Sequence, residues 1–302
     1  MDRQLTSPRE VRLFATDLDG TLLRSDRTIS ARTAAAMKAT QTAGVEVVWA
    51  TARAPHSVHE LAQSCGFSGK AICANGAVVL DLTDGSPIVT ATTTITMASA
   101  TAAMSRVRTL MPGVVFANVG PTCFVAEPAY AALCEFVDHH RQPHEMTLSE
   151  FLPAMDEPMV KIVARHPEVS GADLYRTAMS AGVDGVELTH SGAPHVEMAA
   201  AGVSKASALA ELCAADSITA DEVAVAGDAI NDVLMLSWAG IALCPSNARP
   251  EAMFLADRVL PSNDDDGIAI YLEELVRCST SRSRRVHRDL ADLPSTSTNG
   301  VR

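Results

Sequence analysis

The stretch Phe14-Ala15-Thr16-Asp17-Leu18-Asp19-Gly20-Thr21-Leu22 sets two carboxylates at the end of an apolar run, just before a glycine. Val11 to Thr16 reads as a buried strand. In open α/β sheets, ligands bind at the carboxyl ends of strands. Alternation sends residues 17 and 19 toward one side and Leu18 to the other. Two such carboxylates repel unless a cation or proton lies between them, and magnesium, which prefers oxygen ligands, suits the position. A carboxylate there can attack phosphorus and hold the phosphoryl group. Its neighbour two residues on can protonate the leaving oxygen, then activate water. A DxD pair also occurs as a solvated turn or as a metal–nucleotide-sugar contact, so the flanking strand and the Gly-Thr carry the weight.

Working outward, apolar runs alternate with helix-like segments. Ser30 to Ala43 reads as a helix, with Ser30 as N-cap and Gly44 as stop. Val45 to Ala50 is a second strand. Pro55 opens the next helix and Gly66 closes it. Ala71–Cys73 and Ala77–Leu80 suggest more strand. The rhythm predicts an α/β fold with a Rossmann-like, doubly wound parallel sheet. After the turn-rich Asp81–Pro87 the character changes. Helices near 97–110, 128–140 and 170–181, and strands near 114–117, 123–126, 159–164 and 186–189, read as a second α/β unit inserted into the first. The core rhythm resumes at Val196, with helices over 204–214 and 231–238 and strands over 222–226 and 240–243. The expected organisation is a discontinuous catalytic core (1–81 and 195–278), an inserted α/β cap (82–194) and a disordered tail (279–302) whose SRSRR cluster is solvated.

Composition narrows the function. The 302 residues carry a formal net charge of −12 with no long basic stripe before the tail, which argues against a nucleic-acid partner. No apolar run is long enough to cross a bilayer, and the polar N-terminus lacks a signal core, so no membrane partner and a cytoplasmic location are expected. The seven cysteines are odd in number and none stand at CxxC spacing, which favours reduced thiols over a disulfide framework or zinc cage. His139, His140, His144, His190 and His195 lack a zinc spacing and are expected at surface or hinge positions. Arg141, Lys161 and Arg165 are candidates to meet a substrate's polar groups.

Three further segments join the acidic strand end. They are Val48-Trp49-Ala50-Thr51-Ala52-Arg53, Gly202-Val203-Ser204-Lys205 and Gly227-Asp228-Ala229-Ile230-Asn231-Asp232. In this order and spacing the four resemble the signatures of the haloacid dehalogenase superfamily. Ala74-Asn75-Gly76-Ala77, Ser246-Asn247-Ala248 and Asn263-Asp264-Asp265-Asp266-Gly267 resemble segments of its Cof-type phosphatases. The resemblance spans about residues 11 to 276.

It implies a Mg2+-dependent phosphatase acting on a small phosphorylated metabolite such as a sugar phosphate, with the insert as a cap over the site. Asp17 would be nucleophile and metal ligand. Asp19 would be general acid/base and lend a backbone carbonyl to the metal. Thr51 would donate its hydroxyl to the phosphoryl group, beside the backbone of Ala52 and of Leu18. Lys205 would hold that group, Asp228 would bind the metal, Asp232 would stand just behind the metal's ligands, and Asn231 would lie near the phosphate. Ser204 reads more simply as a helix N-cap, and Asn75-Gly76 as a turn. Ala52 and Ala206 stand where the pattern often has Gly, and Cys244-Pro245 where it has Met-Gly. A phosphomutase of the same superfamily is the nearest rival. A non-catalytic phospho-accepting module is a more distant one, since such modules lack the counterpart of Asp19 and the insert.

Overall fold

Every residue of β1 (Leu13–Thr16) is buried, and alternation divides them between two layers. Phe14 packs in one apolar cluster with Leu18 and Trp49. Leu13 and Ala15 pack in another with Val48, Val223, Val225 and Leu209. A strand buried on both faces is the mark of a parallel sheet covered by helices. The structure is a computed structural model and describes residues 10–278 apart from 140, 151, 153 and 154. The expected tail and its SRSRR cluster lie outside these residues, as does His140.

After β1 come β2 (Glu46–Ala50), β3 (Lys70–Cys73), β4 (Val78–Asp81) and β5 (Ile88–Thr92). Next are β6 (Val115–Val119), β7 (Phe124–Ala126), β8 (Thr147–Leu148), β9 (Lys161–Arg165), β10 (Val186–Thr189) and β11 (Val196–Ala200). Last are β12 (Val223–Ala226), β13 (Ile241–Pro245) and β14 (Arg258–Leu260). They form two sheets, ordered β14-β13-β12-β1-β2-β3-β4-β5 and β10-β11-β9-β6-β7-β8.

In the first sheet, β14 through β3 run parallel, while β4 and β5 are added antiparallel. The chain leaves β1 toward β2 and returns on its other flank at β12. That makes the carboxyl end of β1 the point where the winding reverses, and there a crevice opens. The expected helix starts hold. Ser30 caps Ala31–Thr42 by accepting from Thr33 N, and Pro55 opens Pro55–Cys65, which ends on Gly66 in the left-handed region.

The sheets part the chain at points other than the expected 82 and 194. β5 lies past residue 82, yet a hairpin folds it onto β4 and the first sheet. β11 lies past residue 194, yet it pairs antiparallel with β9 and β10. The reason is visible in its side chains: Val196 and Met198 join the apolar cluster with Ala103, Met104, Leu174 and Ala178 of helices Met97–Leu110 and Gly171–Ala181. The opposite face of the second sheet turns Ala117, Phe124, Val163 and Ala199 toward the first sheet's cluster. The single helix expected over 128–140 is two short ones, Pro128–Ala131 and Phe136–His139, because the Asp138 carboxylate takes the Glu135 N–H and starts a new turn. All seven cysteines are free.

Candidate active site

Four chain segments converge at the carboxyl end of β1. Asp17 follows β1, Thr51 follows β2, Gly227 and Asp228 follow β12, and Lys205 begins helix Lys205–Ala215. Ser204 caps that helix by accepting from Ser207 N, as its sequence position suggests. The cap fixes the first turn and with it the root of the Lys205 side chain.

Lys205 is the hub. Its Nζ donates to Asp17 Oδ1 at 2.5 Å and to Asp232 Oδ1 at 2.7 Å, and the ammonium is fully buried. Burial alone would push Lys205 down, but Asp17 and Asp232 outweigh it and hold the group charged, above its ordinary value. Asp17 is pushed well above the usual carboxylate range. Burial is the largest cause, Lys205 opposes it, and Asp232, Asp228 and Asp19 add to it. Asp228 is raised to about 6 by burial and by Asp232, against the Thr21 hydroxyl, which donates to its Oδ1 at 2.9 Å.

Asp17, Asp228 and Asp232 each offer an oxygen within 4.8 Å of the others. Only oxygen donors are present, and they are carboxylates whose charge burial penalises, so a small hard divalent cation fits them. Gly20 makes room for this. It has φ 86°, and a Cβ there would lie 2.6 Å from Asp228 Oδ2. Asp232 is saturated on the protein side: its Oδ2 accepts the N–H groups of Asp228 and Ala229, each at 3.0 Å, while Oδ1 holds Lys205. It folds the 228–232 loop and orients Lys205.

The other expected residues fall around this centre. Thr51 is buried, and its Oγ1 accepts Arg53 N at 3.1 Å. The Leu18 side chain is wholly in the core, so only its backbone can serve a ligand. The Asp19 carboxylate stands apart from the three clustered acids and pairs with Arg53. Asn231 donates through Nδ2 to Asn75 Oδ1 at 3.1 Å.

A cavity of about 410 Å3 lies between the two sheets. Asp17, Asp19, Thr51, Ala52, Arg53 and Asn231 line its floor, and Val119, Phe124, Asp138, His139, Lys161 and His195 line its roof. The expectation of surface or hinge histidines fails for three of the four described ones: His190 and His195 are buried, and His139 lines this cavity. His139 and His195 face this cavity with ring centroids 4.7 Å apart. Burial pushes His195 down to about 3 and His139 well below its ordinary value, which favours the neutral ring in each. Arg165 is engaged with Asp138 at 2.7 Å.

Arg53 and Glu197 were given no role by their sequence context, and Asn75 only that of a turn. One signal was available. Lys161 and Glu197 interrupt apolar runs, PMVKIVA and HVEMAA, and a charge in a buried strand needs a partner.

A sequence profile of the haloacid dehalogenase-like hydrolases matches residues 14–272. Phosphatase YwpJ of Bacillus subtilis is 25% identical over 300 residues, covering 88% of this chain and 100% of that protein. The 5-amino-6-(5-phospho-D-ribitylamino)uracil phosphatase YcsE of Bacillus subtilis is 26% identical over 263 residues, covering 86% of this chain and 94% of that one. The crystal structure of SMU.1108c from Streptococcus mutans superposes with a TM-score of 0.77 at 20% identity, covering 89% of this chain and 100% of that one. Among the described residues no helix is long and apolar enough to cross a membrane.

Proposed function

The chain belongs to the haloacid dehalogenase-like hydrolase family, and from that premise we propose that it is a Mg2+-dependent phosphatase that hydrolyses small phosphorylated metabolites through an aspartyl-phosphate on Asp17. The observation that carries this reading is the Lys205 ammonium held between Asp17 and Asp232, with Asp228 in reach. It sits beneath a cavity of a size that suits a small ligand.

A phosphate dianion cannot approach a carboxylate without compensation. Lys205 supplies one positive charge at the base of the pocket. Asp17, Asp228 and the backbone carbonyl of Asp19 are the groups that would hold Mg2+, which when bound offsets charge on the phosphoryl oxygens. Asp17 attacks phosphorus and the bond to the leaving oxygen breaks. Asp19, held toward the pocket by Arg53, gives that oxygen a proton and then takes one from the water that clears the intermediate. The Thr51 hydroxyl, the backbone of Ala52 and Leu18, and Asn231 grip the phosphoryl oxygens, so the work is positioning and charge stabilisation. Closure of the second sheet over the first excludes water from the attack. A sugar phosphate suits the polar floor and the mixed polar and ring-lined roof.

The test is hydrolysis of a panel of phosphomonoesters with Mg2+, comparing wild type with Asp17→Asn. Turnover of at least one ester by the wild type, lost in the variant, is expected. A fully active Asn variant sinks the mechanism.

A further inference from the structure

Two buried charges stand in strands of the second sheet. The Lys161 side chain at the start of β9 is 6% exposed, and that of Glu197 on β11 is 3% exposed. Such charges persist only where they are paired and their remaining hydrogen bonds are met. This pair meets them by reaching into the first sheet's loops. Lys161 Nζ donates to Glu197 Oε1 and, at 3.0 Å, to the carbonyl of Ala52. Glu197 Oε2 accepts from Asn75 Nδ2 at 2.8 Å. Asn75 Oδ1 then accepts from Asn231 Nδ2 at 3.1 Å.

Each link dictates the next, because an ammonium only donates and a carboxylate only accepts. Glu197 compels Asn75 to turn its nitrogen toward the carboxylate and its oxygen toward Asn231. Asn231 must then turn its nitrogen to Asn75, and its Oδ1, buried and without a protein partner, takes the other side. On the Lys161 arm, the Ala52–Arg53 peptide is held at both ends. Lys161 takes its oxygen, and its N–H points at Thr51 Oγ1. With one of its two acceptor positions filled by this N–H, the Thr51 hydroxyl proton is turned away from the peptide and can donate to a ligand. Asn75 also binds the Thr51 carbonyl through its own N–H at 3.0 Å, with φ 56°, a left-handed conformation that Asn and Asp tolerate.

We propose that Lys161 and Glu197 are positioning residues which, from the second sheet, set the hydrogen-bond direction of Thr51 and Asn231 in the phosphate pocket. What the pocket binds rests on the phosphatase reading, but the wiring does not. Separation of the sheets breaks the Lys161–Ala52 and Glu197–Asn75 bonds together, so the pocket's donor pattern is complete only when the sheets are in contact.

Glu197→Gln keeps the side chain's size but presents Asn75 with a donor. Asn75 then flips, and Asn231 flips after it. Loss of one oriented hydrogen bond is expected to lower kcat about tenfold and weaken inorganic phosphate binding, measured by calorimetry, about tenfold. In protein labelled with 15N at asparagine, the Asn231 side-chain amide signal should shift. The double variant Glu197→Gln with Asn75→Asp restores the direction: the new amide at position 197 donates to the new carboxylate at position 75, whose other oxygen accepts from Asn231. It should bring the amide signal and most of the phosphate affinity back, a non-additive outcome that general loosening does not produce. An unshifted Asn231 signal in Glu197→Gln, or a double variant no better than that single one, overturns the proposal. If the wild type neither hydrolyses phosphomonoesters nor binds phosphate, the phosphatase reading fails, while the amide signal still decides the wiring.

Discussion

Arg53 grips the Asp19 carboxylate with two hydrogen bonds, Nε to Oδ2 and Nη2 to Oδ1, both 2.6 Å long. The pairing is lopsided: the Arg53 side chain is 7% exposed and that of Asp19 50%. The proposed acid/base is therefore aimed by a residue at the end of β2, and not by the three clustered acids. Arg53→Lys keeps the charge and loses the two-pronged fork. It is expected to lower kcat about 10²-fold, within the range that positioned acid–base catalysis spans. Steady-state kinetics with unchanged kcat would show that Asp19 needs no such aiming.

Asp19→Asn removes the acid/base while leaving Asp17 beside Lys205. Turnover should drop by about 10²-fold or more. The second step should slow enough for phosphoprotein to accumulate with substrates whose leaving group departs without a proton. Intact-mass measurement after mixing reads this directly. An Asn variant showing neither slowed turnover nor added phosphoryl mass removes Asp19 from the mechanism.

Lys205→Met strands the buried carboxylates of Asp17 and Asp232 without their shared cation. Breaking a buried pair from one side costs about 3–5 kcal/mol, so the melting temperature in EDTA should fall sharply. Magnesium should raise the melting temperature of the wild type, by up to about 2.7 kcal/mol of stability at a hundredfold excess over its Kd. Asp228→Asn should abolish that rise. A magnesium response that survives Asp228→Asn places the cation elsewhere.

His195 makes stability depend on pH. Its folded value lies at about 3, pushed down by burial and by Lys161, Arg165 and His190, against an ordinary 6.5. Below 6.5 the unfolded chain binds a proton that the folded chain refuses. Its contribution is therefore complete above 6.5 and is lost as pH falls toward 3, amounting to about 2 kcal/mol between pH 7 and 5. Asp228 acts in the opposite sense in metal-free protein. Its folded value of about 6 lies above the ordinary 3.8, so it adds stability as pH falls through the same window. The readout is thus the difference between wild type and His195→Phe in urea unfolding with EDTA. Parallel pH profiles for the two would mean that His195 ionises freely in the fold.

The acidic strand end was legible from its own residues, whereas the Thr after β2, the Lys at a capped helix start and the Asp after β12 stood out only together with it, as four segments in the order of a known family. Each depends on local chemistry: an apolar run stops, a charge follows, and a Ser or Gly marks the boundary. The doubly wound parallel sheet was legible from its alternating strand and helix segments. Strand and helix periods are properties of short segments.

Only tertiary structure decided the rest. That β11 belongs with β9 and β10 is a matter of which face Val196 and Met198 bury, and an apolar strand can pair in either sheet. That Asp19 turns to Arg53 while Asp17 turns to Lys205 follows from neighbours 34 and 188 positions away. The histidines read as surface or hinge groups because spacing carries no record of burial, yet His139 and His195 face one cavity. Asn75 read as a turn residue, and so it is, with φ 56°. Its amide also lies between Glu197 and Asn231 because the two sheets close there. Sequence identified the groups able to do chemistry here, since that is written in side-chain type and local order. Their hydrogen-bond directions were settled only by long-range packing, since a donor's orientation depends on whichever acceptor the fold brings to it.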